Sequence, residues 1–501
     1  MVAMSTTTVS APSVAAPAAK HSIKWGWLAI AILVGLAVAY MPTPQGLDRM
    51  AQLVLAVIAG TVVLWAAEVM NNGVASLLMM GVLMAIGVRP LLTVPVTNDI
   101  SGALSGFADG AWWTLLVVVY YGFAMKKTGL AERIAYYILS LFPGTYSGVL
   151  SAFFLIGLIL SPLIPSMTVR TAIMAPIAWS LVQTLGLKPR SRGSALIMIT
   201  VIEMAVVPGL AFKLGSLNGP VVMKMFDGKH IPLTDGSYIQ VMLLPTFVMC
   251  VLILVLNQLL LKPDQPIHVS RDFASGRLKA LGSVKRPEMI TAVVVFSSIA
   301  MWVTAAAAGA PLGGIKLHHL PTFVVGMFGM AILSLTGVFE DKDIGTGVSW
   351  TLLLFLGGIF SLTHIIPQYK ITDWLAGIMA PRILPLAHSP LLLLLLMAVL
   401  MLGMRFIDPS AFFAIPLLWL PLVDPLTASG IPPLVLAAPL LLMSAPFLLM
   451  YMNFWMAMGE GMTAKQGFSK GQMFSLACVN VVSALLATAV GVFYWKIVGV
   501  L

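Results

Sequence analysis

Hydrophobic runs separated by short polar segments cover almost the whole chain. Windows long enough for membrane helices predict about eleven crossings, at residues 23–41, 50–70, 74–88, 112–125, 194–213, 239–261, 288–308, 320–337, 349–367, 431–452 and 471–497. Two longer apolar regions, 147–184 and 389–427, are interrupted by proline and polar residues, which predicts re-entrant hairpins. The pattern therefore predicts an all-α polytopic membrane protein.

The polar segments divide the chain and orient it. Residues 1–22, rich in Ser, Thr, Ala and Pro, predict a disordered tail. A basic linker, 262–286, separates a first unit, 23–261, from a second, 287–501. Under the positive-inside rule, the linker and the N-terminus are predicted to be cytoplasmic, in a bacterial-type inner membrane. The first apolar run is expected to be an anchor and not a cleaved signal peptide.

The two units resemble each other. The letters "WTLL" occur in both, and the pairs Pro176/Pro416 and Trp179/Trp419 are each 240 residues apart. The first hairpin is followed by a segment with three basic residues, "KPRSRG". The second hairpin is followed by "VDPLTASG", which has none. The copies are therefore predicted to face opposite sides of the membrane. Inverted repeats with paired broken segments are typical of secondary transporters.

Composition narrows the function classes. The residues are 59% hydrophobic and 9% charged, and the net charge of +10 comes from basic residues in short loops, which argues against nucleic acid as a partner. Cys250 and Cys478 lie in apolar runs, so neither a disulfide framework nor a zinc site is expected. We expect no cofactor, and no metal other than a sodium ion for coupling.

Polar residues at the breaks are the candidates for substrate binding. In the first hairpin, "SPLIPSMTVRTAIMAPI", Ser166 and Thr168 offer hydroxyls and Arg170 offers a planar fork that fits a carboxylate. A second break, rich in Pro and Gly, carries Ser216 and Asn218, whose polar groups could orient a substrate or hold a cation. The alternative for each is a structural contact within the bundle.

The second hairpin places Arg405, Asp408 and Ser410 at its tip, and Asp408 aligns with the threonine of the first tip. A carboxylate at membrane depth needs a partner, and Arg170 and Arg405 are the two candidates; a structural salt bridge is the alternative to a role in transport. Lys213, near the second break, is a further possible charge partner or a lysine that reaches the interface.

Several stretches resemble the divalent anion:sodium symporter family of the ion-transporter superfamily. They are, in family order, Trp65 and Glu68, "KKTGLAERIAYYIL", "SPLIPSMTVRTAIMAPI", "LGSVKRPEMITAVVVFSSIAMW", "WTLLLFLGGIFSL" and "FYWKIVGVL". The proline, serine, threonine and arginine of the first tip are especially similar to the 2-oxoglutarate/malate and citrate/succinate translocators. The resemblance implies a substrate with two or three carboxylates, or a related oxyanion. It also implies a homodimer in which a transport domain slides against a scaffold.

The tips depart from the family pattern, Ser-Asn-Thr. The first has Met167 between its serine and threonine, and the second has Phe406 in place of serine and Asp408 in place of threonine. The expected ion-coupling residues are Ser166, Asn218 and Asp408. Coupling to sodium, coupling to protons through the carboxylate, and exchange all stay open.

Three other functions are alternatives to a transporter. A membrane-embedded enzyme lacks support because the sequence has neither a Gly-x-Ser-Gly nor a His-Glu-x-x-His motif. An anion channel would show non-saturating flux. A sensor that retains the fold without transporting is the third alternative, because of the altered tips.

Overall fold

The computed structural model describes residues 24–86, 102–164, 166–267, 271–305, 311–312, 315–316, 320–408, 410–449, 452 and 454–501. The predicted disordered tail, 1–22, lies outside the described residues. The described chain is almost entirely helical. Its one strand pair joins β1 (Pro311–Leu312) to the antiparallel β2 (Ile315–Lys316). The prediction of an all-α protein is confirmed.

Ten α-helices lie in the described part of the first half of the chain. They are α1 (Trp25–Tyr40), α2 (Arg49–Ala66), α3 (Asn72–Ala85), α4 (Gly110–Thr128), α5 (Leu130–Ser140), α6 (Tyr146–Leu163), α7 (Met167–Thr184), α8 (Arg192–Val206), α9 (Asn218–Gly228) and α10 (Asp235–Leu260).

Eleven more helices follow. They are α11 (Arg271–Ala280), α12 (Arg286–Ala305), α13 (Thr322–Leu335), α14 (Asp341–Thr346), α15 (Trp350–Gln368), α16 (Ile371–Ile383), α17 (Pro390–Met404), α18 (Ala414–Ala428), α19 (Pro433–Met443), α20 (Phe454–Met462) and α21 (Lys470–Ile497). The predicted polar linker thus contains a short helix, α11.

Six described segments are long and apolar enough to cross a membrane: α2, α6, α8 with the 3-10 turn that follows it, α10, α15 and α21. The segment that begins with α8 is the most central of them, because its whole apolar window is buried inside the protein. An apolar helix that is buried on all sides forms the core of a large bundle. The residues around the end of α8 therefore lie deep in the protein.

Each predicted hairpin consists of two helices with a break between them: α6 and α7 around residues 164–166, and α17 and α18 around 405–413. Proline explains the first break. Ile164 precedes a proline in the sequence and has φ −129° and ψ 87°, outside the helical region, because the proline ring disfavours helical backbone in the residue before it.

The two hairpins open toward opposite ends of α10. At the base of the first hairpin, Ser147 Oγ donates to Gln258 Oε1 at 2.6 Å, near the end of α10. At the base of the second, Lys229 Nζ, shortly before the start of α10, pairs with Asp424 Oδ2 at 2.5 Å. A helix of 26 residues is about 39 Å long. Inverted repeats have such an arrangement, and the inverted repeat itself stays a prediction.

Candidate substrate site at the hairpin tips

The first hairpin tip is a helix start capped by a neutral hydroxyl. Ser166 is the N-cap of α7, and its Oγ accepts a hydrogen bond from Val169 N at 3.3 Å. Serine is favoured there because its side-chain oxygen satisfies an amide that has no partner within the helix. Thr168 lies half-buried in the first turn. The tip therefore presents two hydroxyls beside the positive end of the α7 dipole.

Arg170 is fully buried and is held by backbone carbonyls. Its short hydrogen bonds run from Nε to Ala205 O (2.6 Å) and from Nη1 to Ile164 O (2.5 Å) and Gly215 O (2.8 Å). Longer contacts reach Ser161 O at 3.4 Å and Val206 O at 3.5 Å. The guanidinium thus joins the hairpin tip to the end of α8. Its predicted contact with a substrate carboxylate stays a prediction.

The break after α8 depends on glycine. A 3-10 turn, Val207–Ala211, follows α8, and the chain then runs without regular helix to α9. A Cβ on Gly209 would clash with the carbonyl of Gly215 and with Nη2 of Arg170. Only a residue without a side chain lets the backbone approach the guanidinium so closely.

Ser216 and Asn218 stand where α9 begins, and both are buried. The Nδ2 atom of Asn218 donates to Oγ of Ser444 at 2.8 Å, across 226 residues of sequence. The Oδ1 of Asn218 and the Oγ of Ser216 are buried without a hydrogen-bond partner among the described residues. Such oxygens are costly to bury unless something binds them, so this junction is the best candidate for a ligand contact.

The second hairpin repeats the arginine contact with a different residue. Arg405, also fully buried, donates through Nη1 to Ser444 O and through Nη2 to Pro446 O (3.1 Å) and Met452 O (3.0 Å). These carbonyls belong to the break between α19 and α20. Each hairpin therefore uses a buried arginine to bind the broken helix of its own half.

Asp408 caps the start of α18. Its Oδ2 accepts from Phe413 N and Ala414 N, both at 2.8 Å, and its Oδ1 accepts from Ser410 Oγ at 2.5 Å. The structure therefore brings together the two predicted residues of this tip. The ion pairs among the described residues do not include one between Asp408 and Arg170. The carboxylate accepts hydrogen bonds from helix amides and a hydroxyl, and the charge of Arg405 attracts it.

Two lysines have partners that sequence reasoning missed. Lys213 is buried, but it pairs with Asp235 Oδ2 at 3.0 Å, at the start of α10, and not with a tip residue. Lys224 is buried on α9 and pairs with Oδ2 of Asp109, the N-cap of α4. The sequence could have predicted an acidic partner for Lys224, because the lysine lies inside an apolar helix and a charge at that depth needs a partner.

A cavity of about 360 Å³ lies beside this second pair, between the start of α4, the end of α9 and the segment before α13. Its charged lining consists of Asp109, Lys224 and Asp227. Because the lysine is neutralised by an aspartate, the cavity has no excess positive charge for an anion. We therefore place the candidate site at the tips and not in this cavity.

Comparison with known proteins shows the family of the chain. The family profile described as "sodium:sulfate symporter transmembrane region" matches residues 22–501. The chain belongs to this family of membrane transporters. The recognition of the divalent anion:sodium symporter family from sequence is confirmed, and the membrane-embedded enzyme is excluded.

Individual relatives are distant. The chain is 23% identical over 368 residues to the putative malate transporter YflS of Bacillus subtilis, covering 72% of this chain and 73% of that protein. It is 24% identical over 421 residues to the L-tartrate/succinate antiporter of Escherichia coli, covering 78% and 81%. The crystal structure of the Alcanivorax borkumensis YdaH transporter matches with a TM-score of 0.54 at 16% identity, covering 88% and 98% of the chains. The similarity to the YdaH structure concerns the fold alone.

Proposed function

We propose that the protein is a secondary active transporter of di- or tricarboxylates or related small anions. The observation that carries the proposal is a chain of contacts from one tip to the other. Arg170 binds the first tip to the first broken helix, Asn218 binds the first broken helix to Ser444 of the second, and Arg405 binds the second broken helix to its tip. The names of the relatives, which include malate, tartrate and succinate, support the substrate class.

The polarity of these segments favours an anion. Four helices, α7, α9, α18 and α20, begin at the tips and breaks. Amides at a helix start carry a partial positive charge that attracts carboxylates. Hydroxyls and amides next to these starts orient the bound groups; in this proposal the residues that contact substrate are Ser166, Thr168, Arg170, Ser216, Asn218, Asp408 and Ser410.

The coupling ion would bind through oxygen atoms at the two hairpin tips and at the break before α9. Ser166, Asn218 and Asp408 are the proposed coupling residues. Asn218 Oδ1, which has no hydrogen-bond partner among the described residues, suits a sodium ion, which binds through oxygen ligands, whereas the Asp408 carboxylate suits a proton. An exchanger would need neither.

Uptake into proteoliposomes tests this proposal. Saturable uptake of labelled malate or succinate, competed by tartrate, is the expected result, and linear non-saturating flux would indicate a channel. No uptake or exchange by a protein that binds dicarboxylates in a thermal-shift assay would favour the sensor. Repeating the assay in sodium and in choline, at several pH values, separates the coupling modes.

The Asp408→Asn variant tests the role of the carboxylate. If Asp408 carries the coupled proton, net uptake loses its pH dependence while exchange persists. If it only caps α18, the variant loses stability, by about 0.5–2 kcal/mol for a weakened cap, with unchanged transport per folded molecule. Asp424→Asn is the matched control, because it removes an exposed carboxylate from the same helix α18, away from the tip.

The proposed setting is an elevator-type homodimer in a bacterial inner membrane, with a cytoplasmic N-terminus. In this setting Arg190, which donates to Lys465 O, would lie on one side of the membrane, and the ion pair between Lys229 and Asp424 would lie on the other. The basic segment around Arg190 is the cytoplasmic one under the positive-inside rule. Cysteines placed at Arg192 and Thr427 should be labelled from opposite sides, and labelling from one side would refute the inverted repeat.

A further inference from the structure

A buried carboxyl lies away from the tips, at a junction of three helices. Glu203 of α8 is 2% exposed. Its Oε2 accepts from Asn257 Nδ2 of α10 at 2.7 Å, and its Oε1 accepts from Asn480 Nδ2 of α21 at 3.2 Å. The same Asn257 Nδ2 also contacts Thr200 Oγ1 at 3.0 Å. One carboxyl group therefore ties α8 to both of its long neighbours.

No cation compensates this carboxyl among the described residues, since none of their ion pairs includes Glu203. The arginines nearest to Glu203 along the chain, Arg190 and Arg192, lie at the start of α8, where Arg192 is exposed. Arg170 donates to carbonyls. Helices α6, α7, α10, α20 and α21 pack on α8; their ionisable residues are Tyr146, Arg170, Asp235, Tyr238, Cys250, Glu460, Lys470, Cys478, Tyr494 and Lys496. An ionised carboxylate held by two neutral amides at this depth is costly.

The junction also holds acceptors for a proton. Asn257 Oδ1 and Asn480 Oδ1 are buried without a hydrogen-bond partner among the described residues, and so is Ser483 Oγ, one turn beyond Asn480. A neutral carboxyl has one O–H donor and needs an acceptor. Rotation of either amide brings its oxygen to the carboxyl. The O–H of the protonated carboxyl can then donate a hydrogen bond to that amide oxygen.

We propose that Glu203 is a proton-binding site and that its carboxyl is neutral at neutral pH. Release of the proton to water places an uncompensated charge between α8, α10 and α21. α8 leads directly into the break that contains Ser216 and Asn218. A charge on Glu203 therefore disturbs the packing of the helix that positions the candidate site. The inference concerns residues outside the tips and does not depend on which anion is transported.

Infrared difference spectroscopy tests the proposal on the purified full chain in lipid nanodiscs, without substrate. The measured signal is the carbonyl stretching band of a protonated carboxylic acid, between about pH 5 and 8, where an exposed glutamate is ionised. Wild type should retain such a band, and Glu203→Gln should lose it. Glu132→Gln, at an exposed position of α5, is the matched control and should leave the band unchanged.

A second variant keeps the test valid if Glu203→Gln does not fold. Asn480→Ala retains the carboxyl but removes one of its partners, so the band should persist and shift in frequency. A wild-type spectrum without a protonated carboxylic acid, or a band that neither variant alters, would overturn the proposal. Failure of transport in the uptake assay would leave the spectroscopic result intact, so the two hypotheses fail separately.

Discussion

Replacing Arg170 by lysine separates the shape of the guanidinium from its charge. The arginine makes three short hydrogen bonds, to Ile164 O, Ala205 O and Gly215 O. These acceptors belong to the hairpin tip, the end of α8 and the break that follows. A lysine has a single nitrogen on a flexible stem, so it cannot reproduce the fork that spans the three segments.

The magnitude follows from the hydrogen bonds lost. If the lysine nitrogen keeps one of the three short bonds, two are lost. A hydrogen bond that involves a charged group contributes about 1.5–3 kcal/mol, so the Arg170→Lys variant should be destabilised by about 3–6 kcal/mol. Since the carbonyls lie where water is scarce, their loss of a partner adds to the cost. Transport should fall because the tip loses its fixed position against α8.

The assay is the unfolding midpoint of the purified variant, measured beside uptake per folded molecule. Arg192→Lys, at an exposed position at the start of α8, is the matched control and should behave as wild type. Arg405→Lys should resemble Arg170→Lys, because Arg405 binds carbonyls in the same way. Wild-type stability of Arg170→Lys would refute the reasoning, and if uptake were then lost, the arginine would be a substrate ligand.

Two further predictions concern contacts between distant segments. Lys224→Met should destabilise the protein by about 1.5–3 kcal/mol, because it removes the charged hydrogen-bond partner of the partly buried Asp109, and adding Asp109→Asn should restore most of the unfolding midpoint. In a double-mutant cycle, Asn218→Ala and Ser444→Ala should be coupled by at least about 0.5 kcal/mol in substrate binding, measured by thermal shift. Additive effects would mean that their contact does not matter to the site.

The breaks could be predicted from sequence because their causes are local. Proline after Ile164, and the glycines at Gly209 and Gly215, disrupt helices through their own backbone geometry. The breaks in both hairpins and in the helix that leads to Ser216 and Asn218 therefore lie where the sequence predicts them. The capping role of Ser166 is local in the same way, since it depends on an amide three residues away.

The partners of the charged residues could not be predicted, because they are set by packing between distant segments. The repeat offset of 240 residues aligns Arg170 with Ser410, yet the residue with the equivalent contacts is Arg405, on the other side of the second tip. A long side chain reaches carbonyls from either side of a break. Sequence register therefore does not specify which residue does so, and the pairing of Asn218 with Ser444 is equally nonlocal.

The two kinds of helix end at the breaks explain how buried arginines and an anion site can coexist. A broken helix leaves carbonyls at one end and amides at the other. Arg170 binds the carbonyl ends of α6 and α8, and Arg405 binds that of α19, so the negative ends are neutralised and the amide ends remain for an anion. At α18 those amides already hold the carboxylate of Asp408, whereas at α7 the cap is the neutral Ser166. In the proposed transporter, the start of α7 is therefore where a substrate carboxylate would gain most.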